Sequence, residues 1–139
     1  MTVPVTAGAP ETGRERRSRV ALAAVLATAG VLHLVAPAPY ARIVPDGLGD
    51  PGVVVLVSGV AELAVAALLA VRRTRRLGGW AAAVLFMVVF PANVQMALDS
   101  HGGWGSSLVA WLRLPLQVPL VVWAITVALP GRLRLRRSA

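Results

Sequence analysis

The stretch VVVLVSGVAELAVAALLAVRR, residues 53–73, decides the fold. Its first nineteen residues, 53–71, are apolar apart from Ser58 and one carboxylate, Glu62. At about 1.5 Å of rise per helical residue, such a run crosses a hydrocarbon layer of about 30 Å. An acid at the centre of a spanning helix opposes insertion by roughly 3 kcal/mol, whereas each Val or Leu favours it by about 0.3 to 0.6. The segment holds eleven Val and Leu residues. It therefore inserts on balance, and Glu62 is expected to face protein rather than acyl chains.

Working outward, three further apolar runs of similar length occupy 20–36, 80–98 and 108–129. With 57% hydrophobic and 14% charged residues over 139 positions, the composition is too apolar for a soluble domain. The expected fold class is an all-α membrane protein, a four-transmembrane-helix antiparallel bundle over 20–129. A basic tail over 1–19, rich in Pro, Gly and Thr, is read as disordered, and a second basic tail covers 130–139. The motif RERRSR, the apolar run and APA also imitate a secretory signal. The run is longer than a usual signal core and Pro39 would follow the cut, so a retained span is the reading.

All fourteen cationic residues are arginine, a usage that, with abundant Ala, Val and Gly, suggests a GC-rich bacterial genome and hence a multi-pass protein of the bacterial plasma membrane. Twelve of the fourteen fall on one side of the bundle: the first tail, the Arg72, Arg73, Arg75 and Arg76 loop, and the last tail. The opposite loops carry Arg42 with Asp46, Asp50 and Asp99. Positive charge stays inside, which places both termini in the cytoplasm, with Tyr40, Trp104 and Trp111 at the outer interface and Trp80 at the inner one. The arginines lie between apolar runs rather than interleaved on a soluble face, so the expected partners are the bilayer and its anionic lipids, not nucleic acid. The chain has no cysteine, which excludes disulfides, thiolate nucleophiles and dithiol redox chemistry.

Polar residues inside the spans are few, and they gather at similar depths. Counted from the outer ends, His33 lies about three residues deep, Asn93 and Arg113 about five, and Glu62 and Gln117 about nine. Arg113 and Gln117 share a face as i and i+4, and Glu62 shares a stripe with Ser58, Gly59 and Ala66, whose small side chains allow close helix contact. Asn93 and Gln95 diverge by about 200° around the third helix, and Asn93 is taken as the inward one. Pro91, Pro115 and Pro119 each delete a helical hydrogen bond, freeing the carbonyls of Met87, Trp111 and Pro115.

Arg113 keeps its proton in any protein environment, so within lipid it requires an anion or a path to water. The expectation is that Glu62 and Arg113 pair across a helix interface, with Gln117, Asn93 and His33 completing a small polar pocket. Such a cluster fixes helix register, holds the polar head of a lipid-soluble ligand, or carries protons; alternatively Arg113 snorkels outward while desolvation keeps Glu62 protonated. His33 has no second ligand at metal-binding spacing, and His101, in DSHGGWGSS, is read as a solvated loop residue. No catalytic residue, metal site, phosphate-binding glycine loop or carboxylate pair is present in the pattern.

GVLHLVAP (30–37), IVP (43–45), SGVAEL (58–63), FPANVQMAL (90–98) and RLPLQ (113–117), in this order, resemble the DoxX-like family of small bacterial membrane proteins. The resemblance implies a four-helix membrane bundle and marks His33, Glu62, Asn93, Arg113 and Gln117. The family takes its name from a subunit associated with a thiosulfate:quinone oxidoreductase, and other members accompany membrane redox systems. It thus implies a non-catalytic accessory or ligand-binding subunit, with quinone as the cofactor left open and a membrane-associated oxidoreductase as the partner. Thiol traffic, known in related proteins that carry cysteines, does not transfer to this chain. A small-molecule or lipid transporter, motivated by the three intrahelical prolines, is the alternative.

Overall fold

The computed structural model describes residues 11–98 and 104–129, all of whose regular structure is helical. Five α-helices follow in chain order: α1 (Gly13–Val35), the single turn α2 (Ala38–Ala41), α3 (Pro51–Ala70), α4 (Arg75–Leu98) and α5 (Trp104–Ala128), with a 3₁₀ turn over Arg72–Thr74. Four of them, α1, α3, α4 and α5, are long and apolar enough to cross a membrane. The loop holding His101 and the tail over 130–139 lie outside the described residues, as do the first ten of the chain.

The expected boundary at residue 20 is corrected: α1 begins at Gly13, so 13–19 is helix and not tail. Thr12 and Glu15 form a reciprocal cap, with Glu15 N–H donating to Thr12 Oγ1 at 3.2 Å and Thr12 N–H donating to Glu15 Oε2 at 2.8 Å. Two orphan donors of the first turn are satisfied this way, and the helix runs past the apolar stretch into its arginine-rich end. At α3 the N-cap is Asp50, which accepts from Val53 N–H at 3.0 Å, with Pro51 as the first helical residue. Proline costs nothing there because its missing N–H would be unpaired anyway.

Specific contacts fix the direction of each helix. Arg19, near the start of α1, reaches the carbonyls of Leu69 and Ala70 at the end of α3, while Gly30, near the end of α1, lies against Gly59 in the first half of α3. Those two helices are antiparallel. Gly79 of α4 lies against Ala128 of α5, and Asn93 of α4 meets Gln117 of α5, so that pair is antiparallel too. Gly78 abuts Leu68 and Leu69 across the α3–α4 turn, and Trp123 Nε1 of α5 donates to Ser18 Oγ of α1 at 2.8 Å, closing the ring. The order around the bundle is α1, α3, α4, α5.

Inside the ring, Leu22, Leu26 and Leu69 are fully enclosed among Ala23, Val65, Ala66, Ala82, Ala83, Ala124 and Val127. Outward faces carry exposed Val, Leu, Trp and Met along every long helix. In lipid no hydrophobic force drives helices together, so close packing over small side chains does this work. A Cβ on Gly79 would lie 2.6 Å from the Ala128 nitrogen, closer than any side chain tolerates.

The arginine-rich end is more structured than its composition implies. Arg19 is buried, donates to Glu11 Oε1 at 2.9 Å through Nε and to the Ala70 carbonyl at 2.8 Å through Nη1. A cation at the end of α3 satisfies carbonyls that lack intrahelical donors and meets the negative pole of the helix. Arg75 also turns inward, with its Nη1 3.2 Å from Glu11 Oε1, whereas Arg72, Arg73 and Arg76 are exposed. Hydrogen bonding from Arg19, ahead of every other cause, holds the Glu11 carboxyl below the usual carboxylate range.

Candidate functional site

The close approach of Gly30 and Gly59 builds the site. A Cβ on Gly30 would come within 2.8 Å of the Gly59 carbonyl oxygen, and one on Gly59 within 2.9 Å of His33 Cβ. Three residues beyond each glycine along its own helix stand His33 and Glu62. Helical side chains lean toward the N-terminus of their helix, so in an antiparallel pair both residues lean back over the crossing and toward each other. His33 Nδ1 and Glu62 Oε2 are 2.6 Å apart.

The Glu62 side chain is 9% exposed and the His33 side chain 15%. Tyr40, in the turn α2, covers the ring with centroids 4.0 Å apart at an interplanar angle of 47°. The expected partner of Glu62, Arg113, does not hold it: the carboxylate is taken by His33, and Arg113 projects from an exposed position of α5. Similar depth and the need of a guanidinium in lipid for an anion point to pairing the two formal charges. The order of helices around the ring decides otherwise, since α3 packs chiefly on α1 and α4.

A second polar pair lies between α4 and α5. Gln117 is buried, its Oε1 accepts from Asn93 Nδ2 at 3.2 Å, and its Nε2 donates to the Phe86 carbonyl. Pro91 was expected to free the carbonyl of Met87 for an outside donor; the amide arrives one residue earlier, at Phe86. Both α4 and α5 continue through their prolines. Of the five residues read as one pocket, four thus make two separate hydrogen-bonded pairs, His33 with Glu62 and Asn93 with Gln117, and Arg113 belongs to neither. Of the residues expected at helix contacts, Gly59 lies at the crossing, Ala66 is buried in the core and Ser58 is half-buried.

From sequence Tyr40 is placed only at the outer interface, not at the pair, and Gly30 is not given a role. A signal existed for Gly30: Gly30-x-x-His33 and Gly59-x-x-Glu62 repeat one spacing on two helices. The contact of Tyr40 with His33 had none, because it depends on the turn of the outer loop. Among the described residues no group of three or more His, Cys, Asp or Glu is placed to hold a metal ion.

The chemistry open to the His33–Glu62 pair follows from its proton count. With one proton, Nδ1–H donates to the carboxylate and Nε2 is a bare acceptor. With two, Nε2 carries a hydrogen and becomes a donor, wherever the proton between Nδ1 and Oε2 sits. One added proton thus changes Nε2 from an acceptor to a donor.

Comparison with curated proteins and with solved structures gives no match. A family model does match over residues 22–128, a stretch that includes both polar pairs and the glycine crossing. The chain belongs to that family, described as domain of unknown function DUF8561.

Proposed function

We propose that the protein is a multi-pass plasma-membrane subunit without catalysis of its own, which binds the polar head of a small lipid-soluble ligand of the quinone type at His33 and Glu62. The supporting observation is the 2.6 Å pair, buried at the carboxylate and with its imidazole against Tyr40. A quinone carbonyl needs a donor and a quinol hydroxyl needs an acceptor, and Nε2 supplies either according to the protons the pair holds. The DoxX-like resemblance points the same way, toward an accessory role beside a membrane oxidoreductase that carries the electrons. Arginine asymmetry supports an orientation with both termini on the cytoplasmic side and His33 near the outer surface.

The test is extraction and mass spectrometry of lipids retained by protein purified in mild detergent. Wild type is expected to keep a quinone that His33→Leu loses, with both proteins eluting as the same folded species. Equal retention in the two, or no quinone in either, contradicts this function. The glycine crossing favours a second reading, in which the pair only fixes the register of α1 on α3. That reading predicts no quinone and a fold sensitive to His33→Leu.

A further inference from the structure

Between α4 and α5, on the outside of the bundle, runs an open groove of about 400 Å³. Trp80, Val84, Met87 and Val88 form one wall and Val121 and Ile125 the other. The volume is in the range of small-molecule sites, yet this lining is almost wholly apolar. It begins near the arginine-rich end of α4.

One turn before Trp80 and on the same stripe stands Arg76, four residues earlier and exposed. Positions 76, 80, 83 and 87 lie within about 60° of one another around a helix at 100° per residue, so the cation and the groove share a face. Nearby carboxylates are already committed, Glu11 to Arg19 and Arg75 and Glu15 to the cap at Thr12. Arg75, although beside Arg76 in sequence, is drawn inward by Glu11. The face therefore offers an exposed guanidinium, an aromatic ring at interfacial depth and an apolar trough below them.

We infer that this face is a seat for one anionic phospholipid of the arginine-side leaflet, with its phosphate at Arg76 and an acyl chain in the groove between α4 and α5. Charge complementarity selects the occupant: a zwitterionic lipid gains less at the mouth, and a helix from a second copy would bury Arg76 against apolar side chains. The seat does not depend on the quinone reading, only on the helices lying in lipid.

Native mass spectrometry of the full chain, released from nanodiscs of equal phosphatidylglycerol and phosphatidylcholine, tests it. Wild type is expected to retain one phosphatidylglycerol in preference to phosphatidylcholine. Arg76→Ala should weaken that retention about fivefold, the effect of one surface arginine. Val84→Trp, which fills the groove from an exposed position, should abolish it, while Arg16→Ala, an exposed cation on α1, should leave it unchanged. Circular dichroism verifies that each variant remains helical. Equal retention of both lipids, undiminished binding in Val84→Trp, or a loss in Arg16→Ala as large as in Arg76→Ala would overturn the proposal, the last showing that only diffuse charge is at work.

Discussion

Glu62 is affordable inside an apolar helix because one specific atom meets it. An ionised carboxylate taken out of water loses several kcal/mol of solvation, and only a close, well-directed hydrogen bond offsets this. His33 Nδ1 at 2.6 Å is that partner. Glu11 plays the corresponding part at the arginine-rich end, where Arg19 and Arg75 share its oxygens. Since its carboxyl is held below the ordinary range, the folded state binds a proton there less readily than the unfolded chain does. Its stabilisation is complete above the ordinary carboxylate value of about 4.3 and is lost as pH falls through the lower folded value. Glu11→Gln is expected to cost about 1–2 kcal/mol at neutral pH. It should also flatten the acid limb of the stability curve between about pH 5 and 3 relative to wild type. Unfolding in detergent across that range checks both. A mutant that keeps the same acid limb as wild type would show that Glu11 contributes nothing through these arginines.

At the scale of elements, glycine positions set which helices touch and how closely. Gly30 and Gly59 let α1 and α3 approach until backbone meets backbone, and Gly79 does the same for α4 against Ala128. Adding a single methyl at Gly30 forces a shift of the Gly59 carbonyl, and Gly30→Ala should destabilise the protein by about 1–3 kcal/mol, as overpacking does. Gly13→Ala, where no heavy atom lies within 4 Å, should be neutral or slightly stabilising because Ala is the better helix former. Thermal unfolding of the two variants separates these outcomes. Comparable losses at both sites would mean that glycine content, not the crossing, matters. The four long helices were legible in sequence because each is a long apolar run, and the early start of α1 was written in Thr12 and Glu15. Glu62's partner was not legible. Depth could be counted along the chain, but which helices are neighbours depends on packing that no single segment encodes.

For the whole molecule, a ring of four alternating helices places the arginine-rich ends together and the loop containing Tyr40 at the other end. Charge asymmetry then predicts that Arg16 and Asp46 lie on opposite sides of the membrane. The chain has no cysteine, so Arg16→Cys and Asp46→Cys each introduce a unique thiol. In intact cells an impermeant maleimide is expected to label the second and not the first. The reverse pattern would invert the topology, and labelling of both would break the four-span count. At this scale the count of four long apolar helices is legible, because each is written as one uninterrupted apolar run. Depth along the chain groups His33, Glu62, Asn93, Arg113 and Gln117 into one pocket, whereas four of them pair off two by two between their helices.

The claim on which the account most depends is that His33 and Glu62 act on each other within the folded bundle. A double-mutant cycle with His33→Ala, Glu62→Ala and the combined variant, followed by unfolding in detergent, measures this directly. The predicted result is a coupling of about 0.5–2 kcal/mol between the two, with a parallel cycle for Glu62 and Arg113 near zero. Additive losses for His33 and Glu62, with the coupling appearing in the Arg113 cycle instead, would contradict the account.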